Sequence, residues 1–223
     1  MLVLANSSKL QHRCIAGIDM TTGEWIRPVS NRGQGELYDS EACVILTNGN
    51  RRTAAVGDVV DVELGESPGT LWHPEDRFLI GPMRLKSTLS QQHLVEVLVS
   101  RVFPSVSILG DFQDRIALEE ARSRSDLRSL QLVRVPELKC YWWSATGSDR
   151  PQLRGQFQVA GKVLSLSITD TAFIATNRGV SRPFVINLPL LTISLASPFR
   201  PTHGDKDYCY KLIAAVISGS LGE

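Results

Sequence analysis

The chain lacks most of the signatures that assign a chemistry directly. Its 223 residues include four cysteines, Cys14, Cys43, Cys140 and Cys209, far apart and with no CxxC pair. They read as free, mostly buried thiols in a reducing compartment, and the sequon Asn6-Ser7-Ser8 is then a chance match. No apolar run approaches the ~20 residues of a membrane-spanning helix. The opening Met-Leu-Val-Leu-Ala-Asn is too short for a secretory h-region and follows no basic stretch. The expected setting is therefore cytoplasmic, with no membrane partner. A strong excess of one charge is also missing. The net charge of +1 gives no overall pointer to a polyanion.

Catalytic motifs are absent as well. There is no GxSxG elbow and no HExxH. The stretch Gly155-Gln-Phe-Gln-Val-Ala-Gly161-Lys162 has five residues between its glycines, with Val163 following. A phosphate loop needs four, and a Ser or Thr to hold magnesium, so this reads as a hairpin. His73-Pro-Glu75 matches the HxE of zinc deaminases, but no PCxxC follows and two ligands are missing. His12, His93 and His203 are scattered, so a zinc site would need ligands from several loops. Asp19, Glu24, Glu36 and Asp170 could coordinate magnesium in a nuclease. Asp170 is better explained as the N-terminal turn of a short helix. No catalytic residue, metal or cofactor is expected.

What is present is the composition of an ordinary soluble globular chain, 43% hydrophobic and 21% charged, long enough for one large domain or two small ones. Its charges are unevenly placed. Residues 58–76 carry six acidic side chains and no Lys or Arg, whereas residues 122–163 carry eight basic against three acidic, a local +5. That segment makes a positive field on a neutral protein, read either as a binding face or as a solvated one.

The densest pattern lies near the start, where apolar runs at 14–18 and 25–29 flank a polar loop closed by Gly23. This predicts a hairpin, with glycine free to take a positive φ at the turn. Alternation puts Trp25 and Arg27 on one face. A ring beside a guanidinium suits a nucleotide; the same pair reads equally as a core tryptophan with a solvated neighbour. Pro28 cannot donate to a ladder, so the strand is expected to be an edge or bulged there.

Further strands are predicted at residues 2–5, 43–47 and 59–64, with turns at Asn48-Gly49-Asn50 and Val56-Gly57-Asp58. Leu94, Leu98 and Val102 form a helical apolar face, with Thr88-Leu-Ser-Gln91 as a capping box and Pro104 as the stop. A second helix is expected over 114–122. Strands follow at 130–135, 140–144, 152–159 and 162–168, the last two joined by Ala160-Gly161. A short helix begins at Thr169-Asp170, and strands at 188–195 and 208–217 end the series. Five strands with a helix between the third and fourth is the OB-fold plan.

The ordered set Leu4-Ala-Asn-Ser-Ser8, Cys14-Ile-Ala-Gly17, Gly23-Glu-Trp-Ile-Arg-Pro-Val-Ser30, Gly35-Glu-Leu37, Gly57-Asp-Val-Val60 and His73-Pro-Glu75 runs through the first half. Residues 165–170, Ile193-Ser-Leu-Ala-Ser-Pro-Phe199 and Tyr208-Cys-Tyr-Lys-Leu-Ile-Ala-Ala-Val-Ile217 continue it through the second. Together they resemble the dual OB-containing domain, a family of prokaryotic modules linked to biological-conflict systems. The resemblance implies two OB-like units in one module and a role in binding nucleic acid or nucleotides. The expected fold is mainly β (α+β): two OB-like five-stranded barrels joined by a short helical segment. The units expected are residues 1–85 and 126–223, with a helical connector at 86–125.

Binding single-stranded nucleic acid requires a cationic groove and exposed aromatic platforms. The candidates in the first unit are Lys9, Arg13, Trp25, Arg27 and Arg32. In the second they are Arg134, Lys139, Trp142, Arg154, Tyr210 and Lys211, with Tyr141 and Trp143 flanking Trp142 on the opposite face. Lys211 reads either as a phosphate ligand or as a lysine at the wet end of a strand. The leading expectation is a non-enzymatic module for single-stranded nucleic acid or a nucleotide, in a prokaryotic defence or conflict system. A protein-interaction adaptor docking an effector subunit is the alternative, since interface cores also favour Trp, Tyr and Arg. A metal-dependent nuclease comes last.

Overall fold

The computed structural model describes residues 1–9, 12–32, 35–102, 106–144, 151–202 and 204–219, with the side chain of Lys9 outside the description. The first half runs β1 (Leu2–Lys9), β2 (His12–Ile18), β3 (Trp25–Val29), β4 (Cys43–Ile45), β5 (Arg51–Thr53), β6 (Asp58–Asp61), β7 (Asp76–Phe78) and β8 (Met83–Thr88). Next come α1 (Gln91–Val99), β9 (Arg115–Ala117) and α2 (Leu118–Ser123). The second half holds β10 (Leu130–Arg134), β11 (Glu137–Trp143), β12 (Gln152–Val159), β13 (Lys162–Ile168), α3 (Thr171–Asn177), β14 (Phe184–Asn187), β15 (Leu190–Leu195) and β16 (Tyr208–Ile217). The fold is mainly β, with two OB-type barrels.

In the first barrel β1, β2 and β3 form an antiparallel meander, with Ser7 opposite Cys14 and Ile18 opposite Trp25. β7 lies parallel to β3, and β6 runs antiparallel to β1. Beyond β6 the chain continues to a bridge between Leu64 and Leu79, where the Gly65 N–H donates to the Phe78 carbonyl at 2.7 Å. The ring is therefore β1–β2–β3–β7–β6–β1. β8, β4 and β5 extend the sheet beyond it.

The second barrel repeats this plan with bent strands. β10 and β11 form one path bent at Pro136, and β14 and β15 another bent at Leu188. The bends are stitched by Leu188 N–H to the Pro136 carbonyl at 2.9 Å and Val135 N–H to the Pro189 carbonyl at 3.2 Å. Around this ring the paths pair as β10/β11, β12, β13, β16 and β14/β15, with β13 and β16 parallel. In both rings the third and last strands are the parallel pair. α3 stands between the third and fourth strands, capped by Asp170, whose carboxylate accepts from Ala172 N–H and Phe173 N–H. The Ala160-Gly161 turn takes positive φ at both residues, 46° and 78°, the type I′ geometry whose twist matches its strands.

Strand periodicity explains the packing. Along β12 and β13, Leu153, Phe157, Val159, Leu164, Leu166 and Ile168 point into the second core, while Gln152, Arg154, Gln156 and Gln158 alternate outward. Val3, Ile15, Val60 and Met83 belong to the first core. A third cluster joins the barrels: Leu2, Leu4 and Ile18 meet Leu190, Ala215 and Ile217, with Leu94, Val95 and Leu98 of α1 packed among them.

Several local expectations are revised. The α1 cap is Ser90, whose hydroxyl accepts from His93 N–H at 3.2 Å. Thr88 instead ends β8 and donates to Asp58 at 2.7 Å. Pro104 lies outside the described residues, and α1 ends at Val99. The helix expected over 114–122 divides into β9, which pairs with β16, and α2.

Gly17 sits on β2 where the β1 backbone approaches closely. A Cβ built on it would lie 2.1 Å from the Leu2 backbone carbonyl oxygen. Backbone on backbone cannot yield as a side-chain tip would, so Gly17→Ala is expected to destabilise the protein by about 3 kcal/mol or more. Denaturant unfolding measures this, and a loss below about 1 kcal/mol would contradict the close approach.

Candidate nucleic-acid interface

Alternation places Trp25 and Arg27 on one face of β3, and that face turns towards the second barrel. Trp25 is half-buried against the clusters around Leu190 and Ala214. It also lines a depression of about 570 Å³ together with Arg101, Arg124 and Arg128. Arg27 is only 3% exposed. Its Nη1 donates to Asp76 at 3.2 Å, and its Nη2 to the hydroxyls of Ser129 at 2.9 Å and Ser194 at 3.3 Å. Glu75 fixes Ser129 from the first barrel, accepting from its N–H at 2.9 Å and its hydroxyl at 2.6 Å. A phosphate approaching the Nη atoms would have to displace these partners. Arg27 is a seam residue, not the solvated neighbour or open clamp expected beside Trp25.

His73 belongs to the same seam. Its Nε2 lies 2.8 Å from the Leu195 carbonyl, a pure acceptor, so Nε2 carries the proton and donates. Its Nδ1 faces Asp76 at 3.6 Å. Burial first, and then the Arg27 charge, hold its pKa below the ordinary 6.5. The ring is therefore neutral at pH 7.

Other expected contacts are also occupied or apart. Lys211 is 2% exposed, so it is an interior clamp and not the wet end of a strand. Its Nζ donates to the Ile108 carbonyl at 2.7 Å and to Asp111 at 2.6 Å, and burial lowers its pKa. Arg13 is half-buried between Asp39, 3.0 Å away, and the Thr171 hydroxyl, 3.4 Å away. Arg32 is exposed, 3.9 Å from Glu41. The side chain of Lys9 lies outside the described residues. Tyr210 accepts from Arg115 at 3.1 Å, in a cluster where that guanidinium also sits 5.0 Å from the Tyr208 ring centre. Arg134 is exposed at the end of β10.

The outer face of the second barrel does bring basic and aromatic side chains together. Trp142 points inward, packed against the core with Phe173 and Ile174. Tyr141 and Trp143 therefore point out. On β11 this face carries Lys139, Tyr141 and Trp143, opposite Gln156, Arg154 and Gln152 of β12. Beyond these come Ser165 and Ser167 of β13, opposite Gln156 and Arg154. Trp143 is 43% exposed, with the Arg154 guanidinium 5.6 Å from its ring centre. Arg154 is held by the Ser165 hydroxyl at 3.2 Å, the Ser165 carbonyl at 2.5 Å and the Ser167 hydroxyl at 3.3 Å. The Tyr141 hydroxyl meets that of Ser165 at 2.8 Å. Such a face offers rings for stacking, fixed cations for phosphates, and amides and hydroxyls for base edges. The signal separating Trp143 from Trp142 was in the chain: Leu138, Cys140 and Trp142 form the apolar period-two set.

Among the described residues no group of three or more His, Cys, Asp or Glu is placed to hold a metal ion. No described helix is long and apolar enough to cross a membrane. A family model described as the dual OB-containing domain matches residues 1–216. No curated protein and no solved structure matches the chain.

The seam generates a pH dependence. Since the folded state holds His73 below the 6.5 of the free side chain, the unfolded chain binds the extra proton as pH falls through that value. His73 therefore contributes stability that is present above pH 6.5 and lost on acidification. Unfolding free energies at pH 7.5 and 5.5 should fall more for the wild type than for His73→Gln, which keeps a donor for Leu195; equal slopes would contradict the assignment.

Proposed function

The chain belongs to the dual OB-containing domain family, and from that premise we propose that it is a non-enzymatic binding module for single-stranded nucleic acid. The strand runs across the outer face of the second barrel. OB barrels that take oligonucleotides use the face of their second and third strands, here β12 and β13. The observation that carries the reading is the exposed Trp143 beside the hydrogen-bonded Arg154, with Tyr141 and Lys139 on the same side of β11. A base stacks on Trp143 and its phosphates meet Arg154 and Lys139. Fixing Arg154 on Ser165 and Ser167 lowers the ordering cost of that contact. The proposed setting is a prokaryotic conflict or defence system, from the family resemblance, and the cytoplasm, from the unpaired cysteines.

Fluorescence anisotropy with a labelled single-stranded oligonucleotide tests this. Trp143→Ala should weaken binding by about 1–3 kcal/mol, the worth of one stacked base, with an unchanged far-UV spectrum. Neutralising two phosphates at ~0.7 each predicts a log–log salt slope of about −1.4, and Arg154→Ala should flatten it. No binding at low salt, or wild-type affinity in both variants, overturns the reading. The aromatic face then becomes the docking surface of a protein adaptor.

A further inference from the structure

A cavity of about 470 Å³ lies between the two barrels, within the ~300–1,000 Å³ range of small-molecule sites. Arg27 and Glu36 enter its wall from the first barrel, Ser194 and Ser197 from the second, and Trp72 and Phe78 are among its apolar residues. Two polar groups have capacity to spare. Arg27 Nε is buried with no hydrogen-bond partner among the described residues, although the other two nitrogens of this almost fully buried guanidinium are engaged. A buried N–H without an acceptor is costly, and an acceptor on a ligand relieves that cost. Among the described residues Glu36 receives one long hydrogen bond, 3.5 Å, from Ser197, while a carboxylate accepts about four.

The volume sets the ligand size. Arg27 is bonded to Ser194 and Glu36 to Ser197, at and just beyond the end of β15, so both groups reach the same cavity. The charge balance defines its character. Asp76 already neutralises Arg27, Arg13 of the same wall is paired with Asp39, and Glu36 repels anions, so a phosphate is disfavoured and a neutral heterocycle is not. We propose that this cavity binds one uncharged, nucleoside-sized heteroaromatic ligand, a ring acceptor meeting Arg27 Nε–H and a ring or amino N–H meeting Glu36. It is a site separate from the strand face.

Calorimetric titration of the full chain with free nucleobases and with neutral ribo- and deoxyribonucleosides tests the assignment. At least one should bind, and Glu36→Gln should weaken it about tenfold or more, as expected for a hydrogen bond to a charged group. Ala196→Trp, which fills the cavity, should abolish binding, and Glu36→Gln decides alone if that variant does not fold. Trp143→Ala should leave nucleoside binding intact, so this inference and the strand reading fail separately. An oligonucleotide whose binding survives Trp143→Ala but is lost in Glu36→Gln would place a charged strand in the cavity and overturn the assignment of an uncharged ligand. Absence of binding across the panel, or binding indifferent to Glu36→Gln, overturns it.

Discussion

The relative placement of the two barrels depends on the buried guanidinium of Arg27. An ion pair as buried as Arg27 with Asp76 adds little net stability, because desolvation offsets the attraction. Its contribution is directional. One planar fork bonds a carboxylate of its own barrel and two hydroxyls of the other, so the barrels meet in one register. Other polar pins act alongside it. The Thr192 hydroxyl donates to the Leu4 carbonyl at 2.7 Å, and Ser7 bridges Asp170. The cluster around Leu2, Leu190 and Leu98 supplies the apolar burial.

That seam makes two topologically equivalent barrels functionally unequal. In the first, the outer face of β1, β2 and β3 is covered: Leu4, Ile18, Trp25 and Arg27 all turn onto the second barrel. In the second, the corresponding face of β11, β12 and β13 is open among the described residues, and its exposed positions are Glu137, Lys139, Trp143, Gln152, Gln158 and Val163. The prominent Trp25–Arg27 pair and the less prominent Trp143–Arg154 pair have thus exchanged the importance that sequence order suggested. An OB face can bind a strand or bind a neighbour. The apolar side chains of β1 decide which for the first barrel.

Legibility in the sequence followed the range of the interactions. The hairpin at Ala160-Gly161 and the alternation of β12 and β13 are local, and residues 152–168 show them directly. β5, β7, β8 and β14 were missed, because β5, β7 and β14 are only three or four residues long and β8 carries its period-two apolar set at just two positions, Met83 and Leu85. The capping box at Thr88 was a sound local pattern overridden by a long-range one, the buried Asp58 that takes the Thr88 hydroxyl and a bidentate Arg52 at 2.6 and 2.7 Å. Burial alone would raise the Asp58 pKa, yet these hydrogen bonds and that of Ala55 N–H hold it low. Arg27 and Lys211 were read as reaching outward for a similar reason. Their partners, Asp76 and Asp111, lie 49 and 100 residues away, and nothing local to a lone cation reveals a buried counter-ion at that separation.

The cavity wall follows from the same constraint as the seam. Arg27 cannot turn to satisfy Nε without abandoning Asp76, Ser129 or Ser194, because the guanidinium is rigid and its donors diverge at fixed angles. An interaction chosen for register therefore leaves one donor unmet, and it does so beside a space large enough for a ligand. A polymer could not use that space well. Its backbone must pass through, and the walls come from both barrels. The open sheet of the second barrel has the opposite character: among the described residues nothing walls it in, and its rings and cations lie along the strands. Enclosure with a polar deficit suits a small neutral ring, and an open basic-aromatic sheet suits a chain. The apolar side chains of β1 determine which face is covered and which is left free, and one buried arginine fixes the register in which they do so.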